Sequence, residues 1–212
     1  MNNSLIKTMK TQPDLFWSGD IGVVIQHDFV ANLQAKLLRP STHKFHMFML
    51  VNYSADEKDW MIIESTPRAG VSIGRLSWYE GQEIEIYRPT GVHWTAGQRA
   101  VFDATKDGRK NYNFLLYVKL AYLVFNYCGR HLKPAPYTIF PPENIGTVVC
   151  SMFVNDGWKN LCPVFDQRYA PIPANFEQQL IDGKVTLIGK WPEDKSFHKY
   201  QIGCKPLGKR SL

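Results

Sequence analysis

The sequence predicts an α+β fold in which an antiparallel sheet packs against segregated helices. Three observations lead there. Short apolar runs bounded by turn-like polar stretches recur near residues 20–25, 45–52, 60–65 and 83–88, as β-strands require. Helical spacing of apolar residues is confined to separate segments between and after them. Finally, 44% hydrophobic and 21% charged residues over 212 positions suit a globular chain with a real core. That length fits a single domain over 1–212, with a helical and proline-rich insertion at about 113–146 and a C-terminal extension at about 177–212.

The elements follow in order. "SGDIGVVIQ" reads as a turn and then an apolar strand. In "HDFVANLQAKLLR", Phe29, Val30, Leu33 and Leu37 share a helical face, and Pro40 stops the helix. "FHMFMLVN" is a strand buried on both faces. "WMIIES" and "EIEIYR" are further strands, the first reached through the polar turn "NYSADEKD". "TAGQRAVFDATK" predicts a helix capped by Thr95. An apolar helix over 113–128 ends at Gly129. A proline-rich loop leads to "TVVCSMFVNDGWKN", where a helix starts at Cys150. "KVTLIGKW" is a last strand before a basic end.

Several function classes are disfavoured. The net charge of +6 is spread without a Lys/Arg block dense enough for specific nucleic-acid binding. The cysteines, Cys128, Cys150, Cys162 and Cys204, lie 22, 12 and 42 residues apart, which is neither a C-x-x-C nor a zinc pattern. They read as free thiols of a reducing compartment, and no metal or cofactor is expected. The N-terminus lacks the apolar core of a secretory signal, so a cytoplasmic or virion-associated location is expected. The helix over 113–128 carries Lys119 and Asn126 and is short for a membrane span, yet it offers apolar surface to a lipid.

The remaining pattern is chemical. A thiol at a helix start sits by unpaired N–H groups and the positive end of the helix dipole, which lowers its pKa. Cys150 has that context. A cysteine nucleophile also needs a base and a group to orient it. Of six histidines, only His46 lies inside a clear strand, where it shares a face with Phe48 and Leu50. On the next strand Trp60, Ile62 and Glu64 share a face. A hairpin centred on Ala55 puts His46 opposite Glu64 and Leu50 opposite Trp60. Any shift by an even number of residues keeps the histidine and the carboxylate together.

These motifs, "GDIGVVIQHDFVANLQAKLL", "HKFHMFMLV", "WMIIES", "GRKNYNF" and "VVCSMFV", resemble in order the permuted NlpC-type papain-like cysteine hydrolases of the YiiX-like group. The resemblance runs from about Gly19 to Asn155, and "PIPANFEQQL" resembles the segment after the nucleophile helix. It implies a circularly permuted papain-like fold, with Cys150 as nucleophile, His46 as base and Glu64 as orienter. Ser151 completes the family's Cys-Ser pair. Tyr112 falls on a tyrosine near the cleft that helps hold an oxyanion, and Tyr137 is a rival for that role. Met152, Asn113 and Phe45 depart from the family's usual glutamate, aspartate and small polar residue.

The function expected is a cysteine amidase or peptidase-type hydrolase acting on a peptide, a peptidoglycan-like or an acylated small-molecule substrate. One alternative is a thiol-dependent lipid acyltransferase or lipase. Another is a non-catalytic structural or virion-associated protein that keeps the fold.

Overall fold

A computed structural model describes residues 9, 13–106, 114–142 and 150–191. Within them the chain is α+β, with eight strands and five α-helices. The strands are β1 (Ile21–Ile25), β2 (Leu38–Arg39), β3 (Lys44–Ser54), β4 (Asp59–Thr66), β5 (Gly70–Arg75), β6 (Glu83–Pro89), β7 (Ala135–Pro136) and β8 (Val185–Trp191). The helices are α1 (Phe29–Leu37), α2 (Trp94–Thr105), α3 (Phe114–His131), α4 (Cys150–Trp158) and α5 (Pro173–Ile181). Six strands form one antiparallel sheet in the order β5-β4-β3-β1-β6-β8, while β2 and β7 pair separately and in parallel.

Period-two alternation in β3 supplies two cores. Met47 and Met49 face a cluster with Phe153, Trp158, Ala100 and Phe176, which seats α4, α2 and α5 on one side of the sheet. Phe48 and Leu50 face the other side, with Trp60, Ile62, Leu76 and Ile86. The central strand is therefore buried on both faces, as its continuous apolar run predicts. Helix α4 is buried all round from Cys150 to Val154, which suits a short helix enclosed by other elements.

A close approach fixes that helix. Gly19, at φ +87°, and Gly97 of α2 meet so tightly that a Cβ on Gly97 would lie 1.8 Å from the Ser18 carbonyl oxygen. The same Gly19 offers its carbonyl to the indole N–H of Trp158, 3.1 Å away at the far end of α4. One corner thus ties α2, α4 and the entry to β1.

Four sequence expectations need correction. His93, not Thr95, caps α2: its ring nitrogen accepts from the Thr95 N–H, so the helix starts two residues earlier. Helix α3 runs through Gly129 to His131. It stops at Leu132, which adopts φ +51° and bonds the Cys128 carbonyl at 2.8 Å, just ahead of Lys133 and Pro134. Strand β5 was not expected, because its glycines and serine dilute the alternation. The β3–β4 register also differs: Phe48 faces Glu64 and Leu50 faces Ile62, with Val51 as an extra residue before Asn52 meets Met61. Among the described residues, no helix is long and apolar enough to cross a membrane.

Gly97→Ala is expected to destabilise the protein. The forced backbone shift costs about 1–3 kcal/mol or more, which outweighs the helix-propensity gain of about 1 kcal/mol. The urea midpoint should fall while the slope stays unchanged.

Candidate functional site

The site begins in β3, where His46 sits between two irregularities. On the β1 side, Val24 faces His46 and Ile25 faces Lys44, so Phe45 is an extra, bulged residue. On the β4 side, the ladder covers Phe48 to Ser54, and Val51 is the second extra residue. Bulges re-aim side chains and end local pairing, and they are common beside active sites. Here they leave residues 45–47 outside the β4 ladder.

The second bulge decides which face Glu64 takes. Near the turn Tyr53 faces Trp60; that register, continued without a break, would set Glu64 opposite Met49. Val51 restores the pairing of Glu64 with Phe48, which points the same way as His46. Glu64 is then the diagonal neighbour of His46, and its Oε2 lies 2.7 Å from the histidine Nε2. The observed register is two residues from a directly opposed pair, an even shift, so the common face expected from sequence is kept.

Glu64 is buried, 4% exposed, and a carboxylate there needs partners. It has two. His46 is one, and the Tyr79 hydroxyl donates to the same Oε2. Tyr79 comes from the single 3-10 turn Leu76–Tyr79 that follows β5. Its ring also stacks on Phe48 and on His46, with centroids 5.1 Å and 5.9 Å away. Sequence reasoning missed Tyr79. The signal available was an aromatic pair, Trp78–Tyr79, just after a weak strand.

Cys150 arrives from the other side as the first residue of α4 and is 2% exposed. Its Sγ lies 4.0 Å from the carbonyl oxygen of Phe45, at the free edge of the bulge. The His46 ring and the backbone N–H groups of Met47 and Ser151 lie close enough to stabilise negative charge on the sulfur. Since Nε2 is engaged by Glu64, the His46 nitrogen left for the thiol is Nδ1.

The electrostatics follow from this geometry. Burial disfavours charge on each member, but the mutual contacts win. His46 is desolvated, yet its hydrogen bonds to Cys150 and Glu64 raise its pKa to about 9. Burial opposes ionisation of Cys150, while His46 and the two backbone N–H groups hold the thiol below its ordinary value. Glu64 is likewise lowered despite burial, through His46 and Tyr79. Burial and the Glu64 charge push Tyr79 upward, so it remains a neutral donor. Each shift favours the same charge pattern, a thiolate beside an imidazolium. Cys162 contrasts with this, because burial raises its thiol.

The sequence-predicted residues therefore divide. Cys150, His46 and Glu64 converge. Ser151 is buried beside them and contributes its N–H. Tyr137 lies in the 3-10 turn Tyr137–Ile139 and packs edge-on against Tyr169 with centroids 5.4 Å apart, among the residues under α3. Tyr112 and Asn113 lie outside the described residues. Met152 belongs to the core beneath the sheet. Cys128, Cys150 and Cys162 are free thiols, and Cys204 lies outside the described residues. The chain matches no protein-family model, and no curated protein is significantly similar to it.

The imidazolium of His46 is expected to persist to pH about 9, so any acid step it performs should fade as pH rises through that value. Glu64→Gln removes the facing charge. In NMR the His46 ring titration should then move down towards the ordinary value of about 6.5. An unchanged titration would show that Glu64 does not set the state of His46.

Proposed function

We propose that the protein is a cysteine hydrolase that cleaves an amide or related acyl bond, on a circularly permuted papain-like fold of the NlpC type. One observation carries this reading: the Cys150 thiol stands beside the His46 imidazole, whose Nε2 is 2.7 Å from the buried Glu64 carboxylate. The chain order of histidine strand, acidic strand and nucleophile helix supports the permuted fold.

The residues divide the work as follows. The Cys150 thiolate attacks the carbonyl carbon, a C–S bond forms, and the carbonyl electron pair moves to oxygen. The N-terminus of α4, with the Cys150 N–H, supplies a donor for that oxyanion. His46 then gives its proton to the departing amine, alcohol or thiol as the bond to the carbonyl carbon breaks. Water attacks the acyl-cysteine and passes a proton to His46. The C–S bond breaks, and the acid and the thiolate are released. Glu64 keeps the ring oriented and stabilises its charged form throughout. Tyr79 holds Glu64 and is a positioning residue.

Iodoacetamide at pH 6 provides the test. Cys150 is expected to alkylate at least about tenfold faster than Cys128 or Cys162, because His46 and two backbone N–H groups stabilise its thiolate. His46→Ala should abolish that difference. Equal rates for all three thiols, unchanged by His46→Ala, would refute the assignment.

A further inference from the structure

Lys44 is a buried cation with no part in the chemistry proposed above. It precedes His46 by two residues in β3, and its side chain is 9% exposed. Its Nζ is 2.6 Å from Oε2 of Glu177 in α5 and 3.3 Å from Oε2 of Glu85 in β6. The charges continue outward, because Glu85 also meets Lys190 of β8 at 3.1 Å and accepts from the Tyr87 hydroxyl. Burial opposes ionisation of Glu85, yet Lys44, Tyr87 and Lys190 hold its carboxyl below the usual carboxylate range.

Strand register shows what this cation does. The β1–β3 ladder is regular from Ile21 opposite Met49 to Val24 opposite His46. Continued without a break, it would set Ile25 opposite Phe45. Lys44 would then share the face of His46 and Phe48. Glu85 is on the opposite face, because it pairs with Val23, which packs with Met47 and with Phe176 of α5. Instead Ile25 meets Lys44, and Phe45 is the extra residue. That one residue moves Lys44 to the face of Glu85 and α5. The ion pairs therefore form only while Phe45 is bulged.

The backbone before the bulge is held as well. The Lys44 N–H donates to Thr42 Oγ1 at 3.1 Å, and that hydroxyl donates to Glu177 Oε2 at 3.3 Å. The Lys44 carbonyl accepts from Gln34 Nε2 of α1 at 3.0 Å. Beyond the bulge stand the groups that meet the thiol. The Phe45 carbonyl oxygen is 4.0 Å from Sγ, and the His46 ring and the Met47 N–H stabilise charge on the sulfur. A buried charge stripped of its partner is costly, so the pair opposes any slip that smooths the bulge.

Resting on the hydrolase reading above, we infer that Lys44 and Glu177 are positioning residues of the cysteine site. Their ion pair keeps Phe45 as the extra residue of β3, and so keeps His46 and the Phe45–Met47 backbone edge against the Cys150 sulfur. Lys44 touches no reacting atom and acts through the bulge.

The test is iodoacetamide alkylation of Cys150 in the full-length protein, followed by mass spectrometry over roughly pH 5 to 9, with Cys128 and Cys162 as internal references. Lys44→Met combined with Glu177→Leu replaces the pair with apolar residues, a change that buried ion pairs often tolerate. Glu85 keeps Lys190 and Tyr87. The double variant should keep a urea midpoint close to wild type. Its Cys150 rate at pH 6 should fall at least about tenfold, and the rate–pH profile should move up towards that of an ordinary thiol. Glu177→Gln keeps the shape and leaves Lys44 its contact with Glu85, so both readings should move the same way by less. It decides the question if the double variant does not fold. Ile86→Val, in the core on the other side of the sheet, is the control for lost stability. It should lower the urea midpoint and leave the Cys150 profile unchanged. A wild-type profile in the folded double variant, or in Glu177→Gln if only that folds, overturns the positioning role and leaves the hydrolase reading standing. Equal rates for the three thiols in wild type overturn both.

Discussion

The site depends on one extra residue, Val51, in the middle of β3. Strand pairing has period two, so a single inserted residue exchanges the two faces of everything beyond it. Without that bulge the turn register would carry Glu64 to the face of Met49, under α4, and would leave His46 with no carboxylate. With it, the half-buried His46 and the buried Glu64 meet at 2.7 Å, with Cys150 beside the ring. A buried carboxylate without its partner is costly, so the polar chain and the bulge require each other.

The strand end that presents His46 is pinned by a second set of buried charges. Lys44, two residues before it, is largely buried. It bonds Glu177 of α5 at 2.6 Å and lies 3.3 Å from Glu85 of β6. Glu85 also contacts Lys190 of β8 at 3.1 Å and accepts from the Tyr87 hydroxyl. Removing one member would strand the others in the interior, so the network resists displacement of β3. Phe45 lies between this anchor and His46. Its carbonyl oxygen lies 4.0 Å from the sulfur, and it lines an apolar cavity. Thiol, imidazole and cavity are therefore organised around three consecutive residues, Lys44 to His46.

Much of this was legible in the sequence because it follows local rules. Alternation around His46 and Glu64 identified a common face for any even register, and the Val51 bulge produced an even shift from the directly opposed pair. The switch from the Thr147–Val149 run to apolar residues at helical spacing marked Cys150 as a helix start. What was not legible depends on contacts remote in sequence. The bulges leave no periodic signature, since each adds only one residue. Tyr79 gains its role because β5 pairs with β4 and the following turn folds back over Glu64. The cap of α2 passed to His93 because a ring nitrogen can accept from a helix N–H as a hydroxyl would. Leu132 ended α3 with a backbone conformation usually left to glycine, so the sequence rule pointed three residues too early, to Gly129.

The central claim is that Cys150 exists as a thiolate paired with His46. Thiolate absorbance near 240 nm, followed against pH in wild type and in Cys150→Ala, measures it directly. The account predicts that wild type carries one thiolate step below the ordinary thiol pKa and that Cys150→Ala lacks it. A difference between the two proteins that appears only at or above the ordinary thiol pKa of about 8.5 would contradict it.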